Sequence, residues 1–361
     1  MTASHCFVIA EAGVNHDGDP AKAAALIDAA AAAKADAVKF QAFDPAALVT
    51  RRAAKAAYQA RNMPGEATGQ REMLDALALD FASVRALAEH ARTAGIEYMA
   101  TPFDLASLEF LVHEIGVRRV KISSGDVTYG PLLLAAARTR LPALLSTGMA
   151  TLAEVERMLA VYAFGLIEPK AKPSEGAFLE AYASAQGHAA LRAHVSLLHC
   201  TTEYPAPPET ANLRAMDALA AFGVPVGYSD HTFGTAIAMA AVGRGAVTIE
   251  KHFTLDRRSP GPDHAASLEP GELAALVAGI RDVAAALGDG VKRPLGAEMV
   301  NRIVARRAVV AARAIAVGEA FDETNLAAKR PALGRSPMEV WNLFGRRAAR
   351  AYEADEAIDD A

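Results

Sequence analysis

The hydrophobic and polar positions along this chain alternate between two kinds of segment. Short apolar runs typical of buried strands are separated by alanine- and leucine-rich stretches with helical spacing. The runs predict eight strands, at residues 6–13, 37–41, 98–104, 119–126, 143–150, 195–201, 224–230 and 248–253. Continuous apolar strands that alternate with helices indicate a parallel sheet covered on both faces, and eight such units predict an α/β fold, a (β/α)8 TIM barrel.

Two segments interrupt this repeat. Residues 50–73 form a long polar connection after the second predicted strand, which predicts a lid or an arm that reaches toward a partner chain. Residues 167–194 are longer than a simple crossover requires, and they predict a surface insertion.

The last part of the chain has a different sequence pattern, with short β-like runs and a helix start expected at FDETNL. The predicted organisation is a barrel at residues 1–290, a linker at 291–300 and a small β-rich domain at 301–361. This domain contains a basic cluster, for which a solvated face is the usual explanation: Arg306, Arg307, Arg313, Lys329, Arg330 and Arg335.

Composition narrows the class of protein. The chain of 361 residues is 52% hydrophobic and 22% charged, which is ordinary for a soluble globular protein. Its net charge of -5 gives no reason to expect nucleic acid or a membrane as a partner. Two cysteines make no disulfide framework, and the first residues lack a signal peptide pattern, so we expect a cytoplasmic protein.

Polar residues with chemical capability follow or end each predicted strand. In a closed parallel barrel all strand C-termini open on one face, where active sites lie, so these side chains should converge. They are Glu11; Lys39 and Gln41; Thr101 and Asp104; Lys121, Ser123 and Ser124; Ser146 and Thr147; His199 and Thr201; Ser229, Asp230 and His231; and Glu250, Lys251 and His252.

Two histidines predict a metal site. His231 and His252 end neighbouring predicted strands, which lie roughly 5 Å apart in a sheet. Glu11, on the strand that closes the barrel against the eighth, could join them directly or through water. Two imidazoles and a carboxylate, with coordination positions left open for water or substrate, suit a divalent ion that acts as a Lewis acid. The alternative is that each histidine makes only structural hydrogen bonds.

Two lysines predict an anion site. Lys39 and Lys121 lie inside apolar runs, where an unpaired ammonium is costly. Facing one mouth, they could bind a phosphate or a carboxylate, or they could pair with neighbouring acids. A lysine that forms a Schiff base, as in an aldolase, is the rival chemical reading. Asp263 could bind a substrate hydroxyl or stabilise its own turn. Tyr204 could have only a packing role.

Ten stretches, taken in order, resemble the sialic acid synthase family, the N-acetylneuraminate synthases and their legionaminate and pseudaminate relatives. They span nearly the whole chain: IAEAGVNHDGD, AVKFQAF, TPFD, KISSGD, STGMAT, LLHCTTEYPAP, GYSDHT, IEKHFTLD, SPGPDH and KRPALGRSPM. The C-terminal segment resembles the SAF, or antifreeze-like, domain that these enzymes carry after the barrel.

The resemblance implies a reaction, a metal and an assembly. Phosphoenolpyruvate would condense with the open-chain aldehyde of an N-acylated mannosamine-type hexosamine, to give a nine-carbon 2-keto acid and phosphate. The product would be N-acetylneuraminate or legionaminate. The metal would be Mn²⁺ or Mg²⁺. The family forms a domain-swapped homodimer in which the SAF domain of one chain caps the barrel of the other.

The resemblance also implies roles for individual residues. His231 and His252 match the metal ligands, with His231 also counted as catalytic, and Lys251 would be a charge partner. Glu11 and Glu250 match catalytic acidic residues around the metal and the reacting carbon. The phosphoenolpyruvate contacts match Lys39, Thr101, Lys121, Ser124 and Ser229. The sugar contacts match Gln41, Tyr204, Asp263 and Arg330.

Several alternatives stay open from the sequence. The form of TTEYPAP and GYSDHT favours the neuraminate and legionaminate branches over a pseudaminate synthase, and leaves the sugar undecided. The loop ALGRSPM makes Arg335 a competitor for the role of Arg330. A Schiff-base aldolase on the same barrel and a non-enzymatic carbohydrate-binding protein are the rival functions.

Overall fold

A computed structural model describes residues 5–63 and 69–359 of the chain. The chain divides into two compact units, residues 1–288 and residues 289–361.

Eight parallel strands form the centre of the first unit. They are β1 Phe7–Gly13, β2 Ala37–Ala42, β3 Glu97–Pro102, β4 Val120–Ile122, β5 Ala143–Ser146, β6 Val195–Cys200, β7 Val226–Asp230 and β8 Thr248–His252. Their hydrogen-bonded order is β3-β2-β1-β8-β7-β6-β5-β4, and β3 lies beside β4, so the sheet is a nearly closed barrel. Each predicted run overlaps one of these strands, which confirms the TIM-barrel prediction.

Helices connect the strands and cover the barrel. They are α1 Pro20–Ala32, α2 Pro45–Leu48, α3 Ala57–Asn62, α4 Gln70–Leu77, α5 Phe81–Ala94, α6 Leu105–Phe110, α7 Gly130–Arg138, α8 Leu152–Ile167, α9 Glu175–Ala183, α10 Ala185–His194, α11 Ala215–Ala220, α12 Ala236–Gly243 and α13 Pro270–Ala286. Asp80 caps α5 by accepting from the backbone of Ser83 at 2.7 Å, and Gly95 ends it at a φ of 76°. No helix in the described ranges is long and apolar enough to cross a bilayer.

The inside of the barrel changes from apolar to polar along the strands. Side chains two positions apart on a strand point the same way. The lower interior is an apolar layer of Ile9, Ala37, Met99, Leu144 and Leu198. Two positions further toward the C-terminal ends stand Glu11, Lys39, Thr101, Ser146 and Cys200. The polar and charged side chains of the interior therefore lie at one end of the barrel, which is the end where TIM barrels hold their active sites.

The connection after β2 is more ordered than the polar segment 50–73 suggests. It contains α3 and α4, and residues 64–68 lie outside the described residues. The apolar face of α4 belongs to a satellite cluster separate from the main core, formed by Val14, Phe43, Met73, Leu74 and Leu77 with the partly buried Leu48, Val49, Met63, Ala78 and Phe103. The segment thus packs on its own barrel, and its predicted role as a lid or an arm stays a prediction.

The insertion at 167–194 is largely helical, because it contains α9 and α10. The ring of Phe178 on α9 packs edge-on against Phe164 on α8, with centroids 5.2 Å apart. Ser184 separates the two helices and caps α10 by accepting from the backbone of Gly187 at 2.9 Å. A side chain at Gly187 would collide with the carbonyl oxygen of Ala181, so the tight corner requires glycine.

The second unit has its own small core. It contains the helix α14 Gly296–Ala305, which overlaps the segment 291–300 predicted as a linker, and the antiparallel strands β9 Ala308–Ala311 and β10 Leu326–Lys329. The helix start expected at FDETNL is wrong. The carboxylate of Asp322 accepts from the backbone of Thr324 at 2.8 Å, and this turn leads directly into β10. An aspartate that caps a helix and one that forms such a turn give the same sequence signal.

His16 makes the stability of the barrel unit dependent on pH. Its side chain is buried, and its Nδ1 accepts from the backbone of Gly18 at 3.0 Å. Burial lowers the pKa of His16 to about 4, whereas an unfolded histidine titrates near 6.5. Because the unfolded state binds this proton more tightly, stability is lost as the pH falls from roughly 6.5 to 4, by up to about 3 kcal/mol.

We therefore expect a His16→Gln variant to show a shallower loss of unfolding free energy between pH 7 and pH 4.5 than the parent protein. Urea unfolding at both pH values measures it. Other titrating groups are common to the two proteins and cancel in the difference. Equal pH dependence in both would contradict a buried neutral His16.

Candidate active site

A pocket of about 560 Å³ opens at the C-terminal ends of the strands. Its lining includes the barrel residues to which the family resemblance gave a catalytic, metal or substrate role: Glu11, Lys39, Gln41, Thr101, Lys121, Ser124, Tyr204, Ser229, His231, Glu250, His252 and Asp263. Arg330 and Arg335 belong to the second unit, and the roles predicted for them stay predictions. The convergence expected from the strand ends is present in part, because six of the polar residues listed there do not line the pocket: Asp104, Thr147, His199, Thr201, Asp230 and Lys251.

The last three residues of β8 do not all point to the same side of the barrel wall. Glu250 and His252 line the pocket, whereas Lys251 points outward. The Nζ of Lys251 donates to Asp230 at 2.8 Å and to the carbonyl of Thr232, and neither Lys251 nor Asp230 is exposed. Lys251 is therefore a charge partner of Asp230 behind the site.

Removal of Lys251 should lower the stability of the fold more than it lowers the enzymatic activity. We expect Lys251→Met to lower the free energy of unfolding by about 3–5 kcal/mol, because it leaves the carboxylate of Asp230 buried without its counter-ion. Urea unfolding measures this loss. Adding Asp230→Asn to the variant should restore part of it, since the buried charge is then removed. A single variant within about 1 kcal/mol of the parent would contradict this role.

Two lysines and two carboxylates share the buried floor of the pocket. The Nζ of Lys39 lies 2.7 Å from Glu11 Oε2 and 3.5 Å from Glu250 Oε2, and it donates to Thr101 at 3.0 Å. The Nζ of Lys121 lies 3.5 Å from Glu250 Oε1, its one ion pair in the described part of the chain. Lys39 is thus held by two acids, and Lys121 keeps donors available for an anion.

The two carboxylates differ in protonation. Burial raises the pKa of Glu11 to about 8. Burial alone would also raise the pKa of Glu250, but the charges of Lys121 and Lys39 lower it to about 2. Of the two, Glu11 therefore takes up a proton more readily, and Glu250 is ionised at neutral pH. Neighbouring acids with pKa values pushed apart in this way can act as a general acid and a general base.

The hydroxyl groups near these charges are already engaged. Ser229 donates to Glu250 Oε1 at 2.9 Å. The hydroxyl oxygen of Ser124 accepts from the backbone of Gly148 at 3.0 Å and lies 3.1 Å from the sulfur of Cys200. These side chains orient the floor of the pocket, and their predicted contacts to phosphoenolpyruvate stay predictions.

His231 and His252 face each other with ring centroids 5.4 Å apart. Nδ1 of His231 donates to the carbonyl of Thr201 at 2.5 Å, so its Nε2 is the unprotonated nitrogen, and it lies 3.4 Å from the hydroxyl of Ser229. Nδ1 of His252 is buried without a hydrogen-bond partner in the described residues. Burial lowers the pKa of His231 to about 4 and that of His252 well below its usual value. Both rings are therefore neutral, which is the form that binds a metal.

This pair fits a divalent metal as two of its ligands. Within the described ranges, His, Cys, Asp and Glu side chains form no group of three or more placed to hold a metal ion. The remaining positions would belong to water or substrate, as in catalytic sites that keep positions open. The unpartnered Nδ1 of His252 and the fixed tautomer of His231 are the features that support the fit.

Aromatic rings cover the two histidines. The ring of Tyr204 lies 4.1 Å from that of His231 and stands edge-on to His252 at 5.5 Å. Tyr58 of α3 packs on Tyr204 at 4.7 Å, and Asn62 donates to the carbonyls of Tyr204 at 3.1 Å and Pro262 at 2.6 Å. The connection after β2 thus supplies a wall of the pocket, and no pattern in the polar segment 50–73 predicted Tyr58 or Asn62.

Residues after β1 fasten the loop that carries Asp263. The amide of Asn15 donates to Ser267 at 2.8 Å, and the hydroxyl of Ser267 donates to the carbonyl of Asp263 at 2.7 Å. The side chains of Asp17 and His264 bond at 2.9 Å. Burial raises the pKa of Asp263 to about 6. The only sequence signal for Asn15 and Asp17 was their place in VNHDGD after the first strand.

Comparisons with known proteins agree with this geometry. Residues 26–292 match the NeuB family, and residues 306–361 match the SAF domain. An N,N'-diacetyllegionaminic acid synthase of Campylobacter jejuni is 43% identical over 97% of this chain and 98% of its own. The protein of the same name from Legionella pneumophila is 43% identical over 98% of this chain and 93% of its own.

A solved structure supports the same assignment. The N-acetylneuraminic acid (sialic acid) synthetase of Leptospira borgpetersenii, crystallised with citrate, superposes with a TM-score of 0.66 at 34% identity. The match covers 83% of this chain and 90% of that one. This chain is therefore an enzyme of the NeuB family that carries a C-terminal SAF domain.

Proposed function

We propose that this enzyme condenses phosphoenolpyruvate with the open-chain aldehyde of an N-acylated mannosamine-type sugar. The methylene carbon of phosphoenolpyruvate forms a bond to the aldehyde carbon, and water is consumed as inorganic phosphate leaves. The product is a nine-carbon 2-keto acid of the legionaminate type. The observation that carries the proposal is the buried group of two lysines and two unequal carboxylates at the barrel mouth.

Lys121 is the proposed anchor for phosphoenolpyruvate. Its ammonium has one carboxylate neighbour, at 3.5 Å, so it can donate to the phosphate or the carboxylate of the substrate. Lys39, paired with Glu11, adds positive charge beside it. Fixed donors in a buried site stabilise negative charge more strongly than water does, which suits a reaction that releases phosphate.

Glu11 and Glu250 are the proposed proton carriers. The protonated Glu11 donates toward the aldehyde oxygen as that oxygen gains negative charge, and the ionised Glu250 accepts a proton from the water that adds. Their carboxylates lie on either side of Lys39, at 2.7 and 3.5 Å. The lysine therefore keeps the two carboxylates close together, so that Glu11 can serve the aldehyde carbon and Glu250 the phosphate-bearing carbon, which addresses the positioning problem of carbon–carbon bond formation.

His231 and His252 would hold the Mn²⁺ or Mg²⁺ ion. When bound, the ion supplies a Lewis acid that polarises the sugar aldehyde. Tyr204 keeps both imidazole rings in place through its ring contacts. Gln41, Tyr204 and Asp263 line the pocket and are the proposed contacts to the sugar, together with Arg330 of a partner chain in a domain-swapped homodimer.

The legionaminate product is proposed from the 43% identity to two N,N'-diacetyllegionaminic acid synthases. Mass spectrometry of the products tests it, with three sugars offered in parallel: N-acetylmannosamine, its 2,4-diacetamido-6-deoxy analogue, and the altrose isomer of that analogue. We expect the second sugar to give the largest yield. Condensation chiefly with the first would indicate an N-acetylneuraminate synthase, and chiefly with the third a pseudaminate synthase.

One observation supports a second chemistry. Burial lowers the pKa of Lys121, which moves this amine toward the neutral form that a Schiff-base aldolase requires. Borohydride trapping in the presence of pyruvate distinguishes the two functions. A stable adduct at Lys121 or Lys39 would favour the aldolase over the phosphoenolpyruvate-dependent synthase.

A further inference from the structure

The pocket has an apolar wall that the proposed reaction leaves without a role. It consists of Leu48, Val49, Leu74 and Phe103, all of which line the pocket. Phe103 directly follows β3, two residues beyond Thr101, whose hydroxyl accepts from Lys39. A strand rises about 3.3 Å per residue, so Phe103 lies roughly 7 Å further toward the mouth than the charged floor. The apolar wall therefore meets the part of the substrate that is remote from the reacting carbon.

The apolar wall is held firmly, because its members belong to the satellite cluster. Phe103 packs edge-on against Phe43, with ring centroids 6.1 Å apart. The backbone of Gly18 passes so close to α4 that a side chain there would lie 2.3 Å from the carbonyl oxygen of Ala76. The loop after β1 thus fixes the helix that carries Leu74, and the surface offered to the substrate is preformed.

The polar groups beside the apolar wall are partly committed. Gln59 also lines the pocket, but its side-chain carbonyl accepts from the backbone of Ala56 at 2.8 Å. Tyr58 packs its ring on Tyr204. A substrate hydroxyl placed against Leu48, Val49 or Phe103 would lose its water and gain no hydrogen bond from these side chains, whereas a methyl or acetyl group would gain contact.

We propose that Leu48, Val49, Leu74 and Phe103 are specificity residues, which select a sugar whose distal carbons carry a methyl and an N-acyl group in place of hydroxyls. This inference rests on the proposed function. N-acetylmannosamine and its 2,4-diacetamido-6-deoxy analogue differ in this way, at carbons 4 and 6. Apolar pockets discriminate by roughly tenfold to hundredfold for differences of this kind, and we expect a preference of that size for the analogue.

The test makes the apolar wall polar without changing its volume. Val49→Thr introduces a hydroxyl at nearly constant shape, and Leu48→Asn introduces a carboxamide of similar size at the neighbouring half-buried position. Each should reduce the ratio of kcat/KM for the analogue over N-acetylmannosamine by about fivefold to fiftyfold. Val112→Thr is the matched control, because Val112 is also half-buried but packs against the main core outside the pocket. Its ratio should equal that of the parent enzyme.

An unchanged ratio in both Val49→Thr and Leu48→Asn would overturn the inference, and so would an equal shift in Val112→Thr. The affinity of each protein for the two sugars, measured by calorimetry, gives a ratio for binding alone that does not depend on turnover. If the parent enzyme consumes phosphoenolpyruvate with neither sugar, the proposed function fails. The calorimetric ratio then decides separately whether the apolar wall selects the deoxygenated, acylated sugar.

Discussion

A His252→Gln variant is expected to lose at least about a thousandfold in kcat/KM while its fold stays intact. The loss follows from the proposed metal site, because a Lewis acid contributes several kcal/mol to a reaction that builds charge on an aldehyde oxygen. The fold should be spared because Nδ1 of His252 makes no hydrogen bond in the described structure. Initial rates with Mn²⁺ measure the first effect, and urea unfolding measures the second.

His199→Gln is the matched control for this variant. His199 also stands near the end of a strand, β6, but it bonds to the carbonyl of Ala211 at 2.8 Å and does not line the pocket. Loss of this hydrogen bond in His199→Gln should lower the unfolding free energy by about 1 kcal/mol, and turnover should stay within a few-fold of the parent enzyme. Retained turnover in His252→Gln, or unchanged affinity for Mn²⁺ by calorimetry, would contradict the metal assignment.

Lys121→Met should raise the KM for phosphoenolpyruvate by about tenfold to a hundredfold. A charge-assisted hydrogen bond contributes about 1.5–3 kcal/mol, and the substrate would lose its principal cation. The pKa of Glu250 should also rise, because Lys121 is the strongest of the charges that lower it. The unfolding free energy should change less than in Lys251→Met, since the carboxylate of Glu250 keeps Lys39 at 3.5 Å and the hydroxyl of Ser229.

Lys170→Met provides the control for loss of a positive charge outside the pocket, since Lys170 is exposed and does not line it. Its KM for phosphoenolpyruvate should match that of the parent enzyme. A Lys121→Met variant with the parent's KM, at full stability, would show that the anion binds elsewhere in the pocket.

The barrel could be predicted from the sequence because its signal is repeated. Eight apolar runs, each followed by helical spacing, leave one common architecture, and every run overlaps a strand. The turn at Asp322 could not be predicted, since the same residue types cap helices and form turns. The two helices of 167–194 were missed because their weakly amphipathic, alanine-rich sequence carries little pattern.

The polar part of the candidate site was also predictable, for a physical reason. A buried lysine such as Lys39 or a glutamate such as Glu250 is costly without a partner, so its presence in a strand points to a site. Apolar pocket residues give no such signal, because Leu74 and Phe103 look like any core residue. The inward and outward alternation that separates His252 from Lys251 was available from strand geometry, but the partner Asp230 became evident only from the packing.

Release of phosphate from phosphoenolpyruvate is the measurement that tests the central claim most directly. The enzyme would be given Mn²⁺ and the 2,4-diacetamido-6-deoxy sugar, with EDTA and sugar-free reactions in parallel. We expect release that requires the sugar, stops with EDTA and returns when Mn²⁺ is restored. Absence of release with this sugar, its altrose isomer and N-acetylmannosamine, in the presence of either Mn²⁺ or Mg²⁺, would contradict the proposed condensation.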